Sequence, residues 1–376
     1  MYKNKKVVIS TSKPNCEPVD FWRVPAVIAL NNFIHKSLSN WACNIAIGCS
    51  HACGFCSVPS TSTRKQGPHL REYGVQDPDA DWGEYVLLRP WDEKKYMTSL
   101  RKAEETPVSE LKPDGNRAVI FCSTTDAYQT MRASTPAKTK LLNESSAALV
   151  RNALTAIRDH STLNVRILTR SPLAKRDFDL FKSFGNRLVF GMSLPTLDNK
   201  LAKIYEPKAP APSQRLETLR AAKAAGLNVY VAMAPTYPEC NEADLRRTLI
   251  AIKEIDPITT FVEPINIRAE NVARIAAHAK EVGMKLNTGV FDTPETWRSY
   301  SLGQLHLVER LSTELGMLEH LHLWPDKSLG SKAACSCQSD PVRYQEWLNR
   351  YWNRISEWPG KDQSTAVRGS VNAIGR

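Results

Sequence analysis

Six short runs of apolar and β-branched residues alternate with helical segments along this chain of 376 residues. The runs are almost continuously apolar, which is typical of strands buried on both faces of a parallel sheet. Repeated strand–helix–strand units predict right-handed crossovers and an α/β fold: a full or partial (β/α) barrel, or an open doubly wound sheet. In each of these folds the functional site lies at the carboxyl ends of the strands. The predicted strands are residues 44–48, 117–123, 164–169, 187–193, 228–234 and 259–267.

Local signals predict where several helices begin and end. Gly226 and Gly283 stand where a glycine in the C′ position ends a helix. Ser213 is the predicted N-cap of one helix, and Asp292 is that of a later one.

The strand pattern also divides the chain. The predicted core, 44–270, contains an irregular insertion at 61–116 with one short helix near 93–105. An N-terminal extension over 1–43 precedes the core, a C-terminal helical region over 271–358 follows it, and a flexible tail over 359–376 ends the chain.

The charge of the chain favours an anionic partner. Fifty Lys and Arg residues against 39 Asp and Glu residues leave a net charge of +11. Such an excess suits nucleic acid, although a solubilising surface explains it equally well. The sequence has no apolar run of the ~18 residues that a membrane span needs, and no signal peptide. We therefore expect a cytoplasmic protein without a membrane partner, in which the nine cysteines stay reduced.

Three of these cysteines, Cys49, Cys53 and Cys56, lie within eight positions directly after the first predicted strand. Three thiolates on one loop can each bind one iron of a cubane cluster, which leaves the fourth iron open to a small molecule. A zinc site is the alternative, and it needs a fourth ligand such as His51 or Cys43. A third interpretation makes the thiols ordinary packing residues.

The C-x3-C-x-aromatic-C pattern, with Phe55 before the last cysteine, resembles the radical S-adenosylmethionine (AdoMet) superfamily. Within it, the spore photoproduct lyase-like or DNA repair photolyase branch is similar in four further stretches between residues 44 and 270. These stretches are CSTTDAYQ, ILTRSPL, GMSLPT and YEPKAPAPSQRLETLRAAKAAG.

The resemblance implies a partial (β/α)6 TIM-like barrel of parallel strands. It implies a [4Fe–4S] cluster on Cys49, Cys53 and Cys56, with AdoMet bound to the fourth iron. Reduction by a partner such as flavodoxin or ferredoxin would cleave AdoMet to methionine and a 5′-deoxyadenosyl radical, which abstracts a hydrogen atom from the substrate.

The resemblance also implies a set of AdoMet-binding residues. Phe55 would lie against the adenine, with its backbone pairing the base. Ser123 and Thr124, at the end of the second strand, would hold the methionine amino group. Arg170 takes the place of a lysine that is common in the branch and would pair with the carboxylate. The alternatives are that Phe55 is a core aromatic residue, that Ser123 and Thr124 form a simple turn, and that Arg170 is a surface arginine.

Three more residues complete the implied cofactor site. Ser193 would bond to the ribose or the carboxylate of AdoMet. Glu206 and Arg215 would form an ion pair that positions the cofactor, or only a surface pair that contributes little.

Cys122 is a candidate hydrogen donor, because the branch places a donor cysteine at the end of the second strand. Here Ser123 fills the equivalent position, and one residue along a strand reverses the face of a side chain. Either a local bulge restores the direction of Cys122, or it is a buried core thiol.

Other cysteines and basic segments are open to more than one interpretation. Cys335 and Cys337 would ligate a second cluster, form a redox pair or be loop thiols without a role. The basic loop at 62–71 would bind nucleic acid or be a solvated loop. The aromatic C-terminal helix at 341–360 would bind nucleic acid or close the barrel.

We therefore predict a radical AdoMet enzyme that acts on nucleic acid, in lesion repair or base modification. One alternative keeps the chemistry and has a small molecule or a peptide as substrate. Another is a zinc-stabilised nucleic-acid-binding protein without catalysis. The sequence makes no prediction of oligomeric state.

Overall fold

The computed structural model describes residues 16–33, 38–111 and 117–330. Eleven strands in these ranges form two sheets. The strands are β1 (Val19–Phe21), β2 (Ile28–Leu30), β3 (Trp41–Cys43), β4 (Ala46–Ile47), β5 (Val86–Leu88), β6 (Ala118–Phe121), β7 (Asn164–Thr169), β8 (Leu188–Ser193), β9 (Val229–Thr236), β10 (Thr259–Pro264) and β11 (Leu321–Leu323).

The larger sheet has eight strands in the order β2-β3-β6-β7-β8-β9-β10-β11. Every neighbouring pair is parallel except β2 and β3, which are antiparallel. From β3 onward each new strand is added beside the preceding one, so the sheet winds in one direction, as in a (β/α) barrel. No barrel closes within the described residues, because β2 and β11 lie at opposite ends of the sheet. The α/β fold with a partial parallel barrel is confirmed.

Helices follow most of the parallel strands, as βα units require. The α-helices are Gly67–Leu70, Glu93–Glu104, Pro136–His160, Phe178–Lys182, Asn199–Tyr205, Pro212–Ala224, Glu242–Ile255, Asn271–Glu281 and Pro294–Glu314. The helix predicted near 93–105 is confirmed. None of the helices in the described ranges is long and apolar enough to cross a membrane.

The two faces of the sheet have different neighbours. On β7, Val165 and Ile167 belong to the main hydrophobic core. Arg166 and Leu168, which alternate with them, line a cavity of about 190 Å³ on the other face. This period of two gives the parallel sheet a packed outer face and an inner face that encloses space. We call this space the inner cavity.

The first strand prediction was wrong. The strand that pairs with β6 is Trp41–Cys43, not residues 44–48. Residues 46–47 pair antiparallel with β5 in the smaller sheet, whose order is β1-β5-β4. The larger sheet also contains a strand that the sequence analysis did not identify, β11. The tail over 359–376 lies outside the described residues.

The glycine signals were correct and the N-cap signals were not. Gly226 and Gly283 have φ values of 81° and 69°, the left-handed conformation of a residue that ends a helix. Ala211, not Ser213, is the N-cap of Pro212–Ala224. Thr293, not Asp292, caps Pro294–Glu314, and its hydroxyl accepts a hydrogen bond from the Thr296 N–H.

Candidate functional site

Three cysteines lie on one loop that follows β4, which we call the cysteine loop (residues 48–56). Cys49 and Cys53 are buried, and Cys56 is half-buried. Tight turns shape the loop: Ala52 N–H donates to the Cys49 carbonyl at 3.4 Å, and Cys56 N–H donates to the Cys53 carbonyl at 3.2 Å. Burial, then Asp126, then the neighbouring Cys53 and Cys56 raise the pKa of Cys49 well above its ordinary value.

Burial disfavours the free thiolate form of all three thiols by raising their pKa values. Burial raises the pKa of Cys53 to about 12, and the Arg170 guanidinium opposes this rise. Thiolates in such a place need positive charge close by, which metal ions and this arginine would provide. Among the residues that the structure describes, no three His, Cys, Asp or Glu side chains converge as ligands of one ion.

The two residues considered as a fourth zinc ligand have other neighbours. His51 Nδ1 lies 3.4 Å from Asp126 Oδ2, and both side chains are buried. Cys43 lies on β3, where burial raises the pKa of its thiol to about 12 and the Tyr96 hydroxyl lowers it. Within the described residues, neither side chain forms a single-ion site with the three thiols.

Polar residues after β6 fasten the cysteine loop to the sheet. Gln129 Oε1 accepts a hydrogen bond from Ser50 N–H at 2.7 Å, and Gln129 Nε2 donates to Thr125 Oγ1 at 2.7 Å. Thr125 Oγ1 donates to the Gly48 carbonyl at 2.5 Å. These bonds fix both ends of the Gly48–Ser50 segment against the carboxyl end of β6. The sequence analysis did not assign a role to Ser50 or Gln129.

Asp126 connects the same strand end to β7. Its Oδ1 accepts from Thr169 Oγ1 at 2.7 Å, and its Oδ2 accepts from Arg170 N–H at 2.9 Å. Because Oδ2 also faces His51, one buried carboxylate links β6, β7 and the cysteine loop. The signal for these contacts in the sequence was a run of polar residues directly after a buried strand.

A buried charge network lies behind the cysteine loop. Glu206 Oε1 accepts from Arg170 Nε at 2.7 Å, and its other oxygen binds Arg215. Arg215 Nη1 also donates to the Ser193 carbonyl at 3.2 Å. Burial alone would raise the pKa of Glu206, but Arg215 and Arg170 outweigh burial and lower it to about 2. With Glu206 and Arg215 each 1% exposed, the surface-pair interpretation is wrong.

Arg170 also contacts the aromatic residue of the cysteine motif. Its guanidinium carbon lies 5.5 Å from the centroid of the Phe55 ring, a cation–π distance, and its side chain is 18% exposed. The Phe55 carbonyl accepts a hydrogen bond from Asn271 Nδ2 at 3.1 Å. The structure therefore brings Phe55, Arg170, Glu206, Arg215 and Ser193 together.

A second cavity opens beside the cysteine loop, with a volume of about 540 Å³. We call it the mouth cavity; Phe55, Cys56, Ser123, Ala234 and Glu263 are among its lining residues. They come from the cysteine loop and the ends of three parallel strands, the edge where a (β/α) fold binds ligands.

The polar residues after β6 that were predicted to hold the cofactor share one partner. Asn44 Nδ2 donates to Ser123 Oγ at 3.3 Å, and Thr124 N–H donates to Asn44 Oδ1 at 3.0 Å. Ser123 lines both cavities. Their cofactor role stays a prediction.

Cys122 has an irregular backbone and a buried side chain. Its φ of 65° lies in the left-handed region, which is uncommon for a residue with a Cβ. It is 6% exposed, and its Sγ donates to the Cys43 carbonyl at 3.5 Å. The strand therefore loses its regular alternation at this residue, which also lines the inner cavity. Its role as a hydrogen donor stays a prediction.

The remaining predicted sites are partly outside the described residues. Cys335, Cys337 and the helix at 341–360 lie there. The segment at 62–71 is not an open loop: successive helical turns cover Pro59–Thr63, Arg64–Gln66 and Gly67–Leu70.

Gly48, the first residue of the cysteine loop, has no space for a side chain. Its φ is +88°, and an added Cβ would lie 2.1 Å from the Tyr85 carbonyl oxygen. We expect Gly48→Ala to lower the free energy of unfolding by roughly 2–4 kcal/mol, because it combines backbone strain with a clash. Urea unfolding of the metal-free protein measures this loss.

The control is Gly67→Ala, because no atom lies within 4 Å of the position of the added Cβ. We expect it to unfold at the same urea concentration as the unsubstituted protein, or at a slightly higher one. Equal midpoints for the two variants would contradict the close approach of Tyr85 to Gly48.

Comparison with known proteins gives a consistent result. The family model described as the Radical SAM superfamily matches residues 43–252. An uncharacterized protein of Acidianus two-tailed virus is 33% identical over 251 residues, which are 65% of this chain and 74% of that protein. An uncharacterized protein of Methanocaldococcus jannaschii is 25% identical over 233 residues, which are 61% of this chain and 72% of that protein.

Solved structures share the fold at low sequence identity. A spore photoproduct lyase variant with bound AdoMet and dinucleoside spore photoproduct superposes with a TM-score of 0.54 at 12% identity. The alignment covers 81% of this chain and 80% of that one. A second structure of the lyase, complexed with dinucleoside spore photoproduct, gives a TM-score of 0.55 at 13% identity over the same shares.

Proposed function

The chain belongs to the Radical SAM superfamily, and on that premise we propose that it is an enzyme that uses AdoMet-dependent radical chemistry on a nucleic-acid substrate. The reaction would be lesion repair or base modification, started by an electron from a small redox protein such as flavodoxin or ferredoxin. The observation that carries the proposal is the position of the cysteine loop, which is hydrogen-bonded to the residues after β6 and contributes Phe55 and Cys56 to the mouth cavity.

The family implies a [4Fe–4S] cluster and AdoMet, and the residues at this edge suit both. When bound, the cluster supplies the electron that splits the AdoMet sulfonium and yields a carbon-centred radical. Cys49, Cys53 and Cys56 would hold the cluster. Phe55 and Ser123 line the mouth cavity where AdoMet would bind.

Arg170 would orient the AdoMet carboxylate. Its Nε is engaged by Glu206 at 2.7 Å, which fixes the plane of the guanidinium. A planar guanidinium held in this way can still present N–H groups to a second carboxylate. Glu206 and Arg215 are positioning residues, because they act on the cofactor through Arg170 and the Ser193 backbone.

The inner cavity supports a substrate with flat rings. Tyr230, Phe261 and Trp324 line it, and the rings of Phe261 and Trp324 stack at 4.2 Å. Arg166 brings a buried guanidinium to the same cavity. Aromatic and guanidinium planes are the groups on which unpaired bases stack. Net charge of +11 adds a general attraction for the phosphate backbone.

The lyase structures support the same class of substrate. One of them holds AdoMet and dinucleoside spore photoproduct together, and the other holds dinucleoside spore photoproduct. At Cys122 and Ser123 this chain differs from the motif of the lyase-like branch. The proposal therefore names nucleic acid as the substrate class and no particular lesion.

The test is an anaerobic assay of 5′-deoxyadenosine with the reconstituted protein, dithionite and AdoMet. We expect single-stranded oligonucleotides to raise the rate severalfold and this stimulation to fall steeply with salt, because phosphate contacts release counterions. Trp324→Leu should lose most of the stimulation and keep the basal rate.

Trp91→Leu is the matched control. Trp91 packs on Tyr96 at a ring distance of 4.8 Å, away from both cavities, so this variant should respond to oligonucleotides as the unsubstituted protein does. If metabolite or peptide fractions stimulate cleavage and no polynucleotide does, the nucleic-acid proposal is wrong and the small-molecule or peptide alternative replaces it.

A further inference from the structure

A helix outside the residues that match the family model binds the end of the cysteine loop. This helix, Asn271–Glu281, follows β10, and the family match ends at residue 252. Asn271 Nδ2 donates to the Phe55 carbonyl at 3.1 Å, and Arg274 Nη2 donates to the Cys56 carbonyl. The first turn of the helix therefore holds the backbone of two consecutive residues of the cysteine motif.

Arg274 also connects Cys56 to the segment between the cysteine loop and β5. Its Nη1 donates to Asp79 Oδ1, an oxygen that also accepts a hydrogen bond from Ser60 Oγ at 2.6 Å. The side chains of Arg274 and Asp79 are only 16% and 14% exposed. Partners on two separate segments thus fix the guanidinium at a place where little water screens its charge.

The contact with Cys56 brings this positive charge close to a predicted cluster ligand. The carbonyl oxygen and the Sγ of one cysteine are four covalent bonds apart, so a nitrogen bonded to the oxygen lies within roughly 8 Å of the sulfur. Charges at this separation still interact where water is scarce. The thiol responds in the same sense: burial raises the pKa of Cys56 most, the Val58 backbone and then Arg274 lower it, and Asp79 raises it.

We propose that Arg274 holds the Cys56 end of the cysteine loop and raises the reduction potential of the cluster bound there, and that Asp79 limits this rise. The inference rests on the proposed function, because it needs the cluster. One electron from the redox partner makes the cluster more negative, so a nearby cation stabilises the reduced state more than the oxidised state, and a carboxylate does the opposite. Arg274 is thus a positioning residue that does not touch the substrate.

The experiment is a redox titration of reconstituted Arg274→Met without AdoMet, followed by electron paramagnetic resonance of the reduced cluster. We expect the potential to fall, so that the ratio of reduced to oxidised cluster is about tenfold lower at a fixed potential, which corresponds to about 59 mV for one electron. Arg274→Lys keeps the charge and should recover most of the potential. Asp79→Asn removes the opposing charge and should raise the potential.

Lys280→Met is the matched control, since it removes one positive charge from the same helix with the same substituent. Lys280 is exposed, so water screens its charge and we expect the potential of the unsubstituted protein. Urea unfolding without metal provides a second readout. Arg274→Met should unfold at a lower urea concentration and Lys280→Met at an unchanged one, because only the first substitution removes contacts of the cysteine loop.

The outcomes separate this inference from the proposed function. An unchanged potential in Arg274→Met, or a fall in Asp79→Asn, overturns the inference. Equal falls in Arg274→Met and Arg274→Lys also overturn it, because they would reflect a displaced loop and not a lost charge. If Arg274→Met folds and takes up no cluster, Asp79→Asn decides: a higher potential supports the inference and an unchanged one overturns it. An unsubstituted protein that takes up no cluster would refute the proposed function itself.

Discussion

Cys53→Ala is expected to abolish both iron incorporation and the formation of 5′-deoxyadenosine. A cubane held by three thiolates has no spare protein ligand, so the loss of one leaves two irons without cysteine. Iron should fall from about four per chain to near zero after anaerobic reconstitution. Iron analysis and the visible absorbance of the cluster measure the first loss, and product chromatography measures the second.

Cys43→Ala is the control for this experiment. Cys43 is as buried as the motif cysteines, but it lies on β3 beside Tyr96. A three-cysteine cluster predicts that this variant keeps its iron and its product. Full iron content in Cys53→Ala would contradict the cluster assignment. So would a colourless unsubstituted protein that holds one zinc per chain and loses this zinc in Cys43→Ala.

Glu206→Gln should lower the free energy of unfolding by roughly 3–5 kcal/mol, because it leaves two buried guanidinium groups facing a neutral amide. Glu206 and Arg215 are fully enclosed, and Arg170 is 18% exposed at the side chain. Little water reaches the site to replace the lost charge. Urea unfolding of the metal-free protein measures the loss without interference from the cluster.

Glu217→Gln makes the same chemical change at an exposed ion pair. Glu217 is 73% exposed and accepts from Lys175 Nζ at 2.8 Å. Solvent screens such a pair, so we expect almost no change in the free energy of unfolding. Similar losses for the two variants would mean that water enters the Glu206 site and that the network is not a buried one.

The central strands of the sheet were predictable because each long one carries its own signal in the sequence. The apolar runs that became β7, β8 and β10 are each six residues long and largely buried, and the structure places them within a few residues of their predicted bounds. β3 and β11 have only three residues each. So short a run has no measurable period, and only its pairing with a neighbour makes it a strand.

Three features follow from the sequence alone. They are the cysteine motif, the order of strands and helices along the chain, and the glycines that end two helices. Each depends on residues a few positions apart, whose geometry the covalent chain limits.

Only the tertiary structure decided how the site is held together. Glu206 binds Arg170, which is 36 positions away, and Asn271 binds the Phe55 carbonyl across 216 positions. Such contacts depend on the relative positions of several strand ends, and no local spacing encodes them.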